Sequence, residues 1–468
     1  MCTRVRNESI QGVNHANDEQ PIRCISETDH PDSRDGPDSE LLLCLWLLPN
    51  PASPRSGQGA RDVSPQTTTL VKVLLATPGR FHTMALAREL QKTGSLYKVV
   101  SGFPAFALKR ERIDPSLLVT APFYQTLHFG LARFGLPGPY DELKFRSTTS
   151  VDRAASRALS RAKIPPDIYM ALSQTGTMSG MTAKALGVTY VCDRGSTHIE
   201  EQRSILEQEY RLHGLTPPGI DPRSIERELT EYHMSNLITV PSTFVQRTFV
   251  KRGVDARKLL VVPYGANLSM FRPTAAKAVD AFDVLFVGAL SIRKGLPYLL
   301  DAFAKVSHPG KRLTLIGSRV RETDEILAVH PMDHVRILGP IPQGQLAAHM
   351  SAAHVLALPS VEEGLALVMA EAMACGCPVL ASINTGAEDL FENAQQGFIV
   401  EPRDVESLTA RLQCLADDPK LAGAMSLKAR ARIEEIGGWA DYAGALMRHF
   451  AAARADRSGT GTPRERRP

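Results

Sequence analysis

The chain has 468 residues, 43% of them apolar, and a formal charge of only +4. That length exceeds what one hydrophobic core organises, so two globular domains and a cleft between them are expected. Five arginines against two acidic residues in the last fifteen positions account for most of the charge. The remaining body is nearly neutral and offers no broad basic face, which argues against nucleic acid as a partner.

The seven cysteines (Cys2, Cys24, Cys44, Cys192, Cys375, Cys377 and Cys414) are odd in number and scattered. They read as free thiols in a reducing cytoplasm rather than as a disulfide frame. Cys375 and Cys377 form the only close pair, lack a second ligand pair nearby and read as structural. The apolar run at 41–48 is about half as long as a bilayer span requires, so a soluble cytoplasmic protein is expected.

In chain order, residues 1–69 mix polar residues, Pro and Gly without periodicity and read as a disordered extension. A first domain is expected over 70–270. It opens with an apolar strand at 71–76, the turn Pro78-Gly79, helical spacing over 84–90 and a second strand at 97–102, together a βαβ unit. Between 104 and 166 the pattern is irregular, and short helices are expected. For its apolar stretch Phe123–Phe129, core packing is the first reading; contact with a lipid-linked acceptor or a membrane surface is the second.

Strands follow at 167–172 and 188–192 with a helix around 181–186 between them. Asp193, Arg194, Ser196 and His198 then stand at a strand's carboxyl end, where ligands gather in open α/β sheets. A helix (225–236), a strand (237–241), a helix (243–252) and the segment 261–265 complete this domain. A second domain, expected over 271–435, repeats the rhythm with apolar runs at 284–288, 313–317, 335–339, 355–359 and 379–381, as suits a buried parallel sheet. The fold class is therefore α/β with two doubly wound, Rossmann-like domains; a basic disordered tail is expected over 454–468.

The segment Pro359–Gly376 reads as strand end, glycine turn and helix. A helix starting just after Gly364 would aim free N–H groups and its positive dipole end at a diphosphate. Glu363 and Glu371 would lie roughly 12 Å apart along such a helix, too far for the carboxylate pair of a glycosidase. They suit two different partners, sugar hydroxyls and ribose hydroxyls. Arg293 and Lys294, in the turn after the second domain's first strand, can stabilise charge developing on a leaving diphosphate without a metal.

Val287-Gly288-Ala289-Leu290 through Arg293-Lys294-Gly295, then Leu358-Pro359-Ser360 and the block from Glu363 to Glu371, together resemble family 4 of the retaining glycosyltransferases. The resemblance implies a GT-B fold, with Trp439 and Tyr442 on a C-terminal helix (436–453) crossing back to the first domain. It implies that Glu363 contacts the donor sugar, Glu371 the ribose, Lys294 the diphosphate, and the backbone at Gly364, Leu365 and Ala366 the phosphates, beside the strand-ending Gly288. Where many members carry an arginine this chain has Ala289, and Arg293 is its expected substitute. Gly79 and His82 belong to the acceptor-side turn. Asp193, Arg194 and His198 compete for the place of the family's histidine.

The implied reaction moves a hexose-type unit from a nucleoside diphosphate sugar to a hydroxyl of a glycan or lipid-linked acceptor, with retained configuration and no metal or other cofactor. Bacterial polysaccharide or glycolipid synthesis is the expected setting. A sugar-nucleotide epimerase or hydrolase, and a non-catalytic sugar-nucleotide scaffold, are the alternatives on the same architecture. A dinucleotide-dependent dehydrogenase is disfavoured because no Gly-x-Gly-x-x-Gly follows either domain's first strand.

Overall fold

The structure, a computed structural model, describes residues 70–458 apart from Gly135. The expected extension over 1–69, its apolar run at 41–48 and the last ten residues of the tail lie outside the described residues.

The first domain contains β1 (Val73–Thr77), α1 (Phe81–Lys92), β2 (Leu96–Ser101), β3 (Leu118–Thr120), α2 (Phe123–Arg133), α3 (Tyr140–Ser160) and β4 (Ile168–Leu172). It continues through α4 (Thr177–Ala185), β5 (Thr189–Asp193), α5 (Ile199–Leu212), α6 (Pro222–Met234), β6 (Leu237–Val240), α7 (Thr243–Lys251) and β7 (Leu259–Val261). Every neighbouring pair in its sheet is parallel, in the order β3-β2-β1-β4-β5-β6-β7. Strands β1 and β5 are buried at all five positions, because helices cover both faces of such a sheet and leave no wet side for alternation.

The second domain holds β8 (Phe282–Val287), α8 (Leu296–Lys305), β9 (Lys311–Ile316), α9 (Thr323–Val329), β10 (Val335–Gly339), α10 (Gln343–Ala352) and β11 (Val355–Leu358). After these come α11 (Leu367–Ala374), β12 (Val379–Ser382), β13 (Gly397–Val400), α12 (Val405–Asp417), α13 (Pro419–Ile436) and α14 (Trp439–Ser458). Its parallel sheet runs β10-β9-β8-β11-β12-β13. Both sheets are doubly wound and reverse direction between their first and fourth strands. Outside the carboxyl ends at such a reversal the connecting loops diverge and leave a crevice.

Three expectations need correction. Residues 104–166 are not a run of short helices, since α3 alone spans 21 residues. Its buried face mixes Leu143, Val151 and Leu159 with Ser147, Thr148 and Asp152, which dilutes the apolar period. Asp152 is buried because its carboxylate caps α4, accepting from the amides of Met178 at 2.9 Å and Ser179 at 2.8 Å. The apolar stretch at 123–129 is not core: no residue of α2 is buried. Finally, α14 continues past 453 to Ser458. Arg454 is thus part of a helix, its guanidinium 3.2 Å from Asp167, and not of a solvated tail.

Gly295 shows how tightly the second domain's crevice is drawn. It adopts φ of 71° at the start of α8, and a Cβ there would lie 2.0 Å from the carbonyl oxygen of Pro359. The left-handed backbone and the missing side chain are both required. Gly295→Ala is therefore expected to lower stability by at least about 2 kcal/mol in urea unfolding; an unchanged midpoint would show that the two loops are not in contact.

Candidate functional site

The carboxyl ends of the two sheets meet. Gly364, after β11, packs on the backbone of Gly195, after β5: a Cβ on Gly364 would sit 2.0 Å from the Gly195 carbonyl oxygen. Ser242, which caps α7, donates its hydroxyl to the Gly364 carbonyl at 2.6 Å. Between the domains lie two cavities that share Phe81, His82 and Leu367. One, of about 420 Å³, is lined by Pro78, Ser173, Gln174, Arg194, Ser196, Tyr264 and Leu365 among others. The other, of about 210 Å³, includes Arg88, Asn267, Gln343, Glu371 and Trp439. A larger cavity of about 540 Å³ opens at the amino ends of β8, β9 and β10, away from these loops.

His82 stands at the junction. It lies in the first turn of α1, and its Nε2 is 2.6 Å from Oδ2 of Asp193 at the end of β5. The other Asp193 oxygen accepts from Thr239 Oγ1 at 2.9 Å. The ring stacks on Tyr264 with centroids 4.3 Å apart, and Tyr442 of α14 meets it edge-on. An ionised Asp193 only accepts, so it holds the Nε2–H tautomer of His82 and fixes the ring's orientation. Of the three residues competing for the family's histidine position, Asp193 is the one that meets an imidazole, supplied by a different element.

The other two are committed elsewhere. The buried Arg194 guanidinium bonds the Thr197 carbonyl, Ser173, Glu228 and Gln202, and its ion pair with Glu228 is almost wholly enclosed. His198 caps α5, accepting the Glu200 amide on Nδ1 at 3.3 Å, and packs between Tyr232 and Phe249. Burial, with Arg194 and Arg252 nearby, pulls its pKa down to about 4. His198 lines neither interdomain cavity.

On the second domain's side, Lys294 Nζ makes an ion pair with Glu363 Oε1. Gly288 adopts φ of 155°, which disfavours any other residue, and lies against the Lys294 chain, a Cβ there reaching ordinary contact at 3.5 Å from Cε. Arg293 is paired with a different carboxylate from Lys294. Its Nε bonds Glu362 Oε2 at 2.7 Å, while Glu363 stands 3.8 Å away. Glu362 is fully buried and also accepts from Ser196 Oγ (2.7 Å), Thr197 Oγ1 (2.7 Å) and Gln202 Nε2 (3.1 Å) across the domain boundary. Burial alone would push this carboxyl up; Arg293 and the hydroxyl and amide donors outweigh it and hold the pKa at about 2.

The helix after the glycine turn starts later than expected. It begins at Leu367, and the Ala366 amide donates to the Thr385 carbonyl at 3.3 Å, so that N–H is not free for a phosphate. Glu363 belongs to the turn and only Glu371 to the helix. Glu371 faces the smaller cavity, takes a hydrogen bond from Gln343 Nε2 at 3.1 Å, and is pushed up to about 7 by burial. Gly79 follows β1 at the mouth of the crevice, its amide 3.4 Å from Thr77 Oγ1. Cys375 and Cys377 are buried behind α11, their thiols raised to about 11 by desolvation, as befits packing residues.

Glu362, Gln202, Gln343 and Tyr264 carry no motif that singles them out in the sequence. The one available signal was the doubled acid Glu362-Glu363 opposite the doubled base Arg293-Lys294. Two adjacent cations opposite two adjacent carboxylates can form two separate pairs. Among the described residues no cluster of three His, Cys, Asp or Glu side chains is arranged to hold a metal ion, and no helix is long and apolar enough to cross a membrane.

Residues 271–432 match the family model described as glycosyl transferases group 1. The chain is 28% identical over 236 residues to a glycogen synthase of Mycobacterium tuberculosis, a match covering 49% of this chain and 53% of that protein. It is 33% identical over 219 residues to a D-inositol 3-phosphate glycosyltransferase of Streptomyces avermitilis, covering 42% and 47% respectively. The chain thus matches about half the length of these relatives. In architecture it is similar to Anabaena HepE solved in complex with UDP, with a TM-score of 0.59 at 17% identity, covering 81% of this chain and all of that one. The chain accordingly has the GT-B fold, and residues 271–432 of its C-terminal domain are similar to the group 1 glycosyltransferases.

Proposed function

We propose that the chain transfers a hexose-type unit from a nucleoside diphosphate sugar to an acceptor hydroxyl, with retained configuration, in the synthesis of a bacterial polysaccharide or glycolipid. The observation that supports this reading is that Glu371 of α11 lines the same cavity as His82 of the other domain, while the Lys294–Glu363 pair lies in the turns after β8 and β11. Glu371 is suited to ribose hydroxyls, because a half-buried carboxylate lining a cavity accepts charge-assisted hydrogen bonds. HepE crystallised with UDP supports a uridine nucleotide as the first donor to try.

In the reaction the bond between the anomeric carbon and the diphosphate oxygen breaks, the acceptor oxygen bonds that carbon on the same face, and the acceptor proton passes to the departing phosphate. Lys294 neutralises the charge that appears on the diphosphate, helped by the N-terminus of α11. Before the donor arrives Lys294 is held by Glu363; afterwards the phosphate takes the ammonium and Glu363 is released to accept from sugar hydroxyls. Closure of the two domains supplies alignment and excludes water.

The test is nucleoside diphosphate release from a panel of donor sugars, with and without candidate acceptor glycans and with EDTA present. One donor is expected to be turned over only with acceptor, and Lys294→Ala is expected to lower the rate by about a hundredfold or more. Donor consumption without acceptor would assign the site to a hydrolase or epimerase; donor binding without any turnover would make it a scaffold.

A further inference from the structure

We propose that the outward face of α2, with the cations of α3 beside it, is a docking surface for an anionic lipid bilayer. Phe123, Leu127 and, at the C-cap just past the helix, Phe134 recur at spacings of four and seven residues, which sets them on one side of α2. They are exposed by 71%, 42% and 74%. A surface helix ordinarily turns such a stripe inward, and a contiguous exposed one marks a contact surface. Here α2 leans on α3 through its other side: Gln125, for example, is bonded by Ser147.

The chemistry around the stripe selects the occupant. Residues 103–161 contain nine Lys or Arg against five Asp or Glu. A groove of about 560 Å³ is lined by Tyr124, Glu142, Arg146, Arg153 and Arg157, with Arg146 paired to Glu142. Arg153 and Arg157 are exposed and enter no ion pair among the described residues. An amphipathic helix with Phe and Leu on one side and cations at its rim lies in the headgroup layer of an anionic membrane. A second copy of the chain would instead bring the same excess of cations against itself.

The opposite side of α2 leads towards the cleft. Phe129 of α2 meets Phe103 with ring centroids 5.5 Å apart, and the Arg80 guanidinium covers Phe103 at 5.3 Å. Next to Arg80, Phe81 is 62% exposed and lines both interdomain cavities. This inference does not depend on the transferase reading, since it follows from the surface alone.

The test is sedimentation of the full chain with vesicles of phosphatidylcholine alone and of phosphatidylcholine with roughly a third phosphatidylglycerol. The wild type is expected to bind the anionic vesicles, more weakly as salt rises. The triple variant Phe123→Ser, Leu127→Ser, Phe134→Ser is expected to lose binding by about a hundredfold or more. Its melting temperature should stay unchanged, because none of the three side chains is buried. Arg153→Glu with Arg157→Glu is expected to weaken binding by about tenfold or more and to flatten the salt dependence. A wild type that stays in the supernatant with anionic vesicles, or a serine variant that sediments with them as well as wild type, overturns the proposal. So does a concentration-dependent dimer, seen by light scattering, that the serine substitutions dissolve, because the face would then belong to a second copy.

Discussion

Glu362→Ala is expected to cost about 3–5 kcal/mol of stability and to lower turnover by at least about a hundredfold. The stability term follows from burial. Glu362 is inaccessible to solvent, and its two oxygens collect Arg293 from one domain and Ser196, Thr197 and Gln202 from the other. Removing the carboxylate strands the Arg293 charge and several donors at once, and stranded buried groups cost more than the net worth of the bonds they made. The turnover term follows from position, since Arg293 and Glu363 flank the lysine assigned to the diphosphate. Glu362→Gln keeps the volume and some of the hydrogen bonds, so it should fall between wild type and alanine in urea unfolding. An alanine variant with the wild-type urea midpoint would show that the domains are not joined here.

The same residue sets a pH dependence. Its folded pKa, about 2, lies below the ordinary carboxylate value of 4.5. The stabilisation is therefore complete above pH about 4.5 and is lost as pH falls towards 2. Thermal denaturation followed across that window should show a steeper acid loss in wild type than in Glu362→Gln.

Nucleotide affinity is expected to fall by about a hundredfold in Glu371→Ala, which removes charge-assisted acceptors of two ribose hydroxyls. In contrast to Glu362, Glu371 is raised to about 7 by burial with only Gln343 opposing it. The sign reverses accordingly: its contribution to folding is complete below the unfolded pKa and is lost as pH rises through about 7. Ribose hydroxyls donate to the charged form and favour it, so binding should strengthen as pH rises through neutrality. Calorimetric titration with UDP between roughly pH 6 and pH 8 is expected to show this rise in wild type and none in Glu371→Gln. A wild-type affinity that is level across the window would remove Glu371 from the ribose.

The alternation of apolar runs and helical spacing determined the two doubly wound sheets, because a strand buried on both faces must be apolar throughout and the pattern is local. Lys294, Glu363 and Glu371 drew attention for a similar reason: the first two follow a strand end and the third lies on the helix after a glycine turn, all patterns local in the sequence. The partnerships were not legible, because they join residues far apart in the chain. His82 meets Asp193 across 111 positions and Glu362 meets Ser196 across 166. The sequence places Arg293 beside a diphosphate; the tertiary structure gives its charge to Glu362, since a carboxylate sealed between domains must have a cation of its own. The exposed face of α2 was hidden in the same way. A stripe of Phe and Leu at helical spacing has the same pattern whether it points into a core or out to a membrane, and only the packing of α3 behind it decides between them.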